Sequence, residues 1–286
     1  MKKEYDISSQ MKKNRLPEYS ALMSVYKNDN AVWVEEAFYS MLNQSFPPKE
    51  IVLVKDGPLP DALNAMIERL YRMHSSVLRI FPLDKNVGLG LAMQFGVVQC
   101  QCEWIARMDA DDICELNRCE TELSAALQND ADIVGCDCDE FIDTVSNVVS
   151  KRLFPEFHQE LVKFSKHRTP FCHPAVMMKK SAVMSTGNYR HKPFVEDYDL
   201  FVRMLANGAR GYTVKKILYH VRTSREFYGR RGGMQYLVLL LRYNVELYQS
   251  GWTSLFDFLY RSAGNCVGCL APSRVRIWIY KRILRK

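Results

Sequence analysis

No apolar run in the 286 residues approaches the roughly 20 needed to cross a bilayer; the longest, Tyr236 to Leu241, falls far short. The lysine-rich opening, Met1 to Glu18, lacks the apolar stretch of a signal peptide, so a cytoplasmic location is expected. A disulfide framework is equally unsupported, because nine cysteines are an odd number scattered along the chain, which fits reduced thiols. Cys266 and Cys269 have metal-pair spacing, but no second pair of that form exists, and Cys136 and Cys138 fall in an expected strand; a structural zinc site is not expected. The phosphate cradle Gly-x-x-x-x-Gly-Lys-Ser/Thr is missing, which removes a P-loop. Gly88-Leu89-Gly90 is followed by its next glycine only at Gly96, which breaks the dinucleotide fingerprint and argues against a nicotinamide or flavin enzyme. Phosphates bound here would need neutralising by metal rather than by a glycine cradle.

Acid is also missing from the carboxyl terminus. Arg274, Arg276, Lys281, Arg282, Arg285 and Lys286 stand there without a carboxylate, and setting these six aside leaves 33 basic against 32 acidic residues. The net charge of +7 therefore sits in a tail, interleaved with Val275, Ile277, Trp278, Ile279, Tyr280, Ile283 and Leu284. That pattern resembles a helix lying on anionic lipid. A terminal helix packed on its own domain with a solvated basic face has equal weight. Nucleic acid is not an expected partner, since such binders more often spread basic residues over a folded face.

What is present is dense negative charge in one place. Asp109, Asp111 and Asp112 directly follow the apolar run Trp104 to Ala106 and Arg107-Met108. Carboxylates this close raise one another's pKa unless a hard divalent ion, Mg2+ or Mn2+, supplies compensating charge. One of Asp111 and Asp112 is expected instead to cap a following helix carrying Leu116, Cys119, Leu123 and Leu127. Capping needs one side-chain oxygen and leaves the other acids unexplained.

Around this cluster the first half of the chain alternates β-rich runs with helical patterns. Strands are expected over Ser20 to Tyr26, Ile51 to Val54, Val77 to Leu83, Trp104 to Met108 and Asp132 to Cys136. Helices are expected through Val34, Phe38, Met41 and Leu42, over Ala62 to Met73 and over Gly90 to Cys100. Such alternation with short connections implies βαβ units and an α/β fold, a Rossmann-like, mostly parallel central sheet covered by helices on both faces. Ligands then gather at the carboxyl ends of the strands. Asp56 before Gly57-Pro58, and Asn86 before Gly88, fall on that same edge, although each is also ordinary turn chemistry.

Taken together and in order, these residues resemble the inverting glycosyltransferases of family 2, which have the GT-A fold and use nucleotide diphosphate donors. Ser20 to Tyr26 is similar to the family's opening strand, Ile51 to Gly57 to its strand ending in aspartate, and Asn86-Val87-Gly88 with Ala92 and Gly96 to its Asn-x-Gly loop and helix. Arg107 to Asp112 resembles its Asp-x-Asp motif, and Glu196-Asp197-Tyr198-Asp199-Leu200 its later Glu-Asp motif.

The resemblance implies that Ser24, Tyr26 and Asp56 hold the base and ribose with Asn86 nearby, that Arg107 and Asp109 reach the ribose or diphosphate, and that Asp111 binds the metal with Asp109. It implies a UDP-sugar donor, Asp197 as general base and Glu196 orienting the acceptor or tuning Asp197; the alternative for both acids is a charged helix amino terminus. His173, before Pro174, is expected on the acceptor side, and His220 is expected to complete the metal shell or touch diphosphate. Arg222, Arg230 and Arg231 resemble the segment that clamps donor phosphates in bacterial surface-polysaccharide members. The processive signature Gln-x-x-Arg-Trp is absent, which implies transfer of a single sugar. Expected boundaries are a polar extension over 1–18, a catalytic domain over 19–222 that divides at 112 into donor and acceptor parts, and a helical carboxyl-terminal extension over 223–286. The implied acceptor is a glycan on polyprenyl diphosphate at the inner membrane face, as in capsule, exopolysaccharide and O-antigen synthesis. Two other readings stay open: a non-catalytic carbohydrate- or nucleotide-binding module at the membrane surface, and a metal-dependent phosphohydrolase.

Overall fold

A computed structural model describes residues 16–224 and 232–271. The five strands expected from the sequence are present, and all but the third, at the sheet's edge, have the near-continuous burial that parallel sheets require when helices cover both faces. They are β1 (Tyr19–Val25), β2 (Glu50–Lys55), β3 (Leu78–Pro82), β4 (Trp104–Met108) and β6 (Ile133–Phe141), with β5 (Ile113–Cys114) a short piece before the last. Further strands are β7 (Val148–Arg152), β8 (Val176–Lys179) and β9 (Gly211–Arg222). The sheet runs β3-β2-β1-β4-β8-β6-β9-β5, with β7 hydrogen-bonded to β6. β1, β2, β3 and β4 are mutually parallel, β9 is parallel to β6, and β8 lies antiparallel between β4 and β6. The expected mostly parallel sheet is present; the antiparallel intruder is an addition the sequence did not announce.

The helices are α1 (Ala31–Leu42), α2 (Asp61–His74), α3 (Leu89–Gln99), α4 (Arg118–Gln128), α5 (His158–Ser165), α6 (Lys180–Ser185), α7 (Glu196–Ala206), α8 (Met234–Gln249) and α9 (Leu255–Leu270). Alternation along β1 shows how they are shared out: Tyr19, Ala21, Met23 and Val25 join the core under α1, α2 and α4, whereas Leu22 joins Val52, Val54 and Ala92 under α3. A Cβ on Gly96 would lie 2.4 Å from Leu22 Cδ1 and 3.0 Å from Val54 Cγ2, so glycine is what lets α3 approach the sheet.

α4 begins at Arg118 behind Asn117, and its buried face is Arg118, Cys119, Glu122, Leu123 and Ala126. Neither Asp111 nor Asp112 caps it, because β5 intervenes, and Leu116 and Leu127 are exposed. Its first residue carries the buried ion pair Arg118–Glu122, and the guanidinium also donates to the carbonyl of Arg107, fastening α4 beneath the end of β4. The carboxyl-terminal hairpin of α8 and α9 packs through Tyr243 and Leu247 on Val195, Tyr198 and Val202 of α7 and its cap. No helix among the described residues is long and apolar enough to cross a membrane.

Candidate active site

Parallel register places the candidate residues on one rim. Val25 pairs with Lys55 and Met23 with Met108, so Tyr26, Asp56 and Asp109 each follow a strand end on the same edge. Gly57 makes the second of these corners possible: its φ is +88°, and a Cβ there would lie 2.4 Å from the backbone nitrogen of Asn86. The close approach lets buried Asp56 clamp the next loop. Its carboxylate accepts from the backbone nitrogens of Val87 at 2.7 Å and Gly88 at 3.1 Å, and from Asn86 Nδ2 at 3.0 Å. Asp56 and Asn86 are thus turn chemistry and rim residues at once, and their mutual bond fixes the start of α3.

Asp109, Asp111 and Asp112 place ligand oxygens within 4.8 Å of one another. Burial first, and then the charge of Asp109, pushes Asp111 up to about 6. Burial with the charges of Asp111 and Asp109 raises Asp112 further. Asp112 Oδ1 accepts from the backbone nitrogen of Arg222 at 2.7 Å, while its Oδ2 is buried with no partner. An orphaned buried carboxylate oxygen beside two more acids is the donor set that a hard divalent cation takes.

Sequence reasoning missed a fourth acid. Asp29, which accepts from the backbone nitrogen of Tyr26 at 2.9 Å, is raised to about 7 by burial, with Asp111 and Asp109 adding to the shift. No motif marks it; only its place in the loop after β1 does.

Beneath the cluster lies Arg107, 1% exposed and paired with Asp109. Its guanidinium is a buried countercharge to Asp109, and its Nε and Nη1 have no partner. His173 is buried too. Its Nε2 meets Tyr189 Oη at 2.9 Å, and burial, with the charge of Arg107, holds its pKa well below the usual histidine value.

The later acidic pair sits at the first turn of α7. Glu196 is raised to about 7 by burial and then by the charge of Asp197; Asp109 raises it further and Arg107 opposes the rise. Tyr189 is likewise raised by burial and senses Arg107, Asp197, Glu196 and Asp109. A Cβ on Gly90, in the first turn of α3, would stand 3.1 Å from Glu196 Cβ. Glu196 therefore stands beside the start of α3, next to the loop that Asp56 clamps, and within electrostatic reach of Asp109.

Two expected residues are elsewhere engaged. His220 Nδ1 meets Asp139 Oδ1 at 2.7 Å and Nε2 meets Glu115 Oε1 at 3.0 Å, so both ring nitrogens are taken outside the aspartate cluster. Burial lowers its pKa, but these two carboxylates overcome that and raise it. Arg222 does not present its fork to a phosphate. Its guanidinium donates to the carbonyls of Asp111 at 2.8 Å and Asp143 at 3.2 Å, pairs with Glu36 at 2.6 Å, and lies over the rings of Trp33 and Phe141. It braces the Asp111 loop. Arg230, Arg231 and the basic tail lie outside the described residues.

Ser24 is half-buried near the end of β1, and Tyr26, just beyond it, is exposed.

Comparison with known proteins bears on the family and the fold. The profile described as glycosyl transferase family 2 matches residues 20–186. A UDP-Gal:alpha-D-GlcNAc-diphosphoundecaprenol beta-1,3-galactosyltransferase of Escherichia coli is 32% identical over 94% of this chain and 98% of its own length. The amylovoran biosynthesis glycosyltransferase AmsE of Erwinia amylovora is 32% identical over 92% of this chain and 98% of its own. Among solved structures, S. aureus TarS 1–349 in complex with UDP-GlcNAc superposes with a TM-score of 0.63 at 16% identity, covering 93% of this chain and 74% of that one. This chain spans 44% of a longer TarS chain. The mannosyltransferase PcManGT of Pyrobaculum calidifontis, in complex with GDP-Man and Mn2+, gives 0.64 at 14% identity, covering 89% and 70%. Both structural likenesses bear on fold alone.

Proposed function

The chain belongs to glycosyltransferase family 2, and from that premise we propose that it moves one sugar from a UDP-sugar to a glycan hydroxyl with inversion at the anomeric carbon. The observation that carries this reading is the cluster of three carboxylates within 4.8 Å of one another, one of which, Asp109, acts electrostatically on the half-buried Glu196 next to Asp197. In the proposed step Asp197 takes the proton of the acceptor hydroxyl, whose oxygen forms the new bond to the anomeric carbon while the bond to the nucleotide oxygen breaks. UDP leaves with the electron pair, on the side opposite the attack. Glu196 orients the acceptor, and Asp56 with the Asn86 loop, Ser24 and Tyr26 hold the nucleoside end.

Asp109, Asp111 and Asp112 would hold a divalent cation, Mn2+ or Mg2+. When bound it supplies positive charge against the departing diphosphate. Arg107 pairs with Asp109, and Arg222 fixes the backbone of Asp111. The E. coli relative's lipid-linked substrate supports an acceptor carried on polyprenyl diphosphate, at the inner face of a membrane, with the basic tail as a further anchor. The boundaries that fit this reading are a catalytic unit over 19–222 and a helical extension after it.

Asp197→Asn should keep UDP affinity and lose transfer by about a hundredfold or more. Asp111→Asn should weaken UDP binding only when Mn2+ is present. Calorimetry of UDP with and without Mn2+, beside a transfer assay, checks both. Unchanged turnover by Asp197→Asn would remove it as base, and UDP binding with no turnover of any sugar nucleotide would favour a binding module instead.

A further inference from the structure

We propose that the outward face of α9 rests on an anionic phospholipid bilayer. Leu255, Phe256, Leu259, Tyr260, Val267 and Leu270 are each between 56% and 74% exposed. The sequence of α9 carries only two charges, Asp257 and Arg261, and neither is on that face. Asp257 caps the helix and pairs with His167 at 3.1 Å; Arg261 is buried, donating to Asn244 Oδ1 at 2.5 Å and to Tyr198 Oη. This inverts the usual arrangement of a surface helix, whose charges face water. Contiguous apolar faces of this kind mark a partner or a membrane.

Charge decides which. The sequence beyond Ala271 adds six Lys and Arg and no acid, whereas the rest of the chain is balanced at 33 basic to 32 acidic residues. An uncharged helix face followed by a cationic segment with Trp278 and Tyr280 complements an anionic headgroup layer over hydrocarbon. A second copy docked on this face would bring two such cationic segments together, and their repulsion opposes it. The inner side of α9 also ties the face to the chemistry. Arg261 holds Tyr198, the residue after Asp197, so the bilayer contact and the candidate base belong to one packed unit. The inference rests on the lipid-linked acceptor proposed above and adds where the protein meets that lipid's membrane.

The test uses the full chain with vesicles of phosphatidylcholine alone and of equal parts phosphatidylcholine and phosphatidylglycerol. The wild type should sediment with the mixed vesicles and weakly with the neutral ones. The double variant Phe256→Ser, Leu259→Ser changes only exposed side chains, and its partition should fall by on the order of tenfold or more. Its rate on a water-soluble acceptor analogue should match the wild type. Equal vesicle binding by variant and wild type overturns the proposal. So does light scattering that finds a wild-type dimer and a monomeric variant, because a second copy then covers the face. Loss of transfer to the soluble analogue by the wild type itself would instead sink the catalytic reading and leave the vesicle result to be judged separately.

Discussion

Asp111 loses its proton at about 6, because burial and the charge of Asp109 both oppose its ionisation. A carboxyl whose pKa is higher folded than unfolded binds more protons in the native state between the two values. Lowering pH through that window therefore favours the fold, as far as this group is concerned, while taking a ligand from any cation. Mn2+ affinity should fall about tenfold per pH unit below that midpoint. Calorimetric Mn2+ titrations across the range check this, and an affinity flat in pH would mean that Asp111 is not a ligand. The aspartate cluster was legible because three acids at a strand end are conspicuous in any sequence. The roles of Arg107 and Arg222 were not. A sequence gives the guanidinium but not whether an acid or a backbone carbonyl of the same chain has already occupied it. His220 misled for the same reason: Asp139 and Glu115 are remote from it in sequence and adjacent to it across β6 and before α4.

Among the elements, the β2–α2 corner and the loop before α3 depend on each other through Gly57. Gly57→Ala forces a side chain into a positive φ and against the Asn86 backbone, which together should cost at least about 2 kcal/mol. Urea unfolding measures the loss, and UDP affinity should fall as well, because the Asp56 clamp cannot form. A variant of wild-type stability would show that the two loops are not in tight contact. The parallel strands were readable because burial on both faces turns them into continuous apolar runs. β5 has two residues, β7 has no fully buried residue, and β8 looks like any short apolar segment, so nothing local gave them away. The start of α4 was misjudged because Leu116 continues the helical spacing of Cys119 and Leu123 although the chain there is still outside the helix.

At the scale of the molecule, α7, α8 and α9 are joined through Tyr198, Asn244 and Arg261. Arg261→Ala removes a charged donor from two buried acceptors and should cost about 2 kcal/mol or more. Hydrogen exchange should then show α8 and α9 opening more readily while β1 and β4 keep their protection; uniform loss across the sheet would mean that the hairpin is no separate unit. The overall arrangement followed from strand rhythm, but its central detail did not. Ile105 and Ile133 both pair with Met178, so β8 occupies the seam between β4 and β6.

That seam sets an order of assembly. A ribosome delivers β4 and β6 well before β8, yet neither can meet the other directly, and each waits with an unpaired edge until Met178 arrives. The nascent protein is therefore most vulnerable to proteases and to sticking between those moments, and protection should begin only in chains arrested far enough past residue 179 for β8 to have left the ribosome.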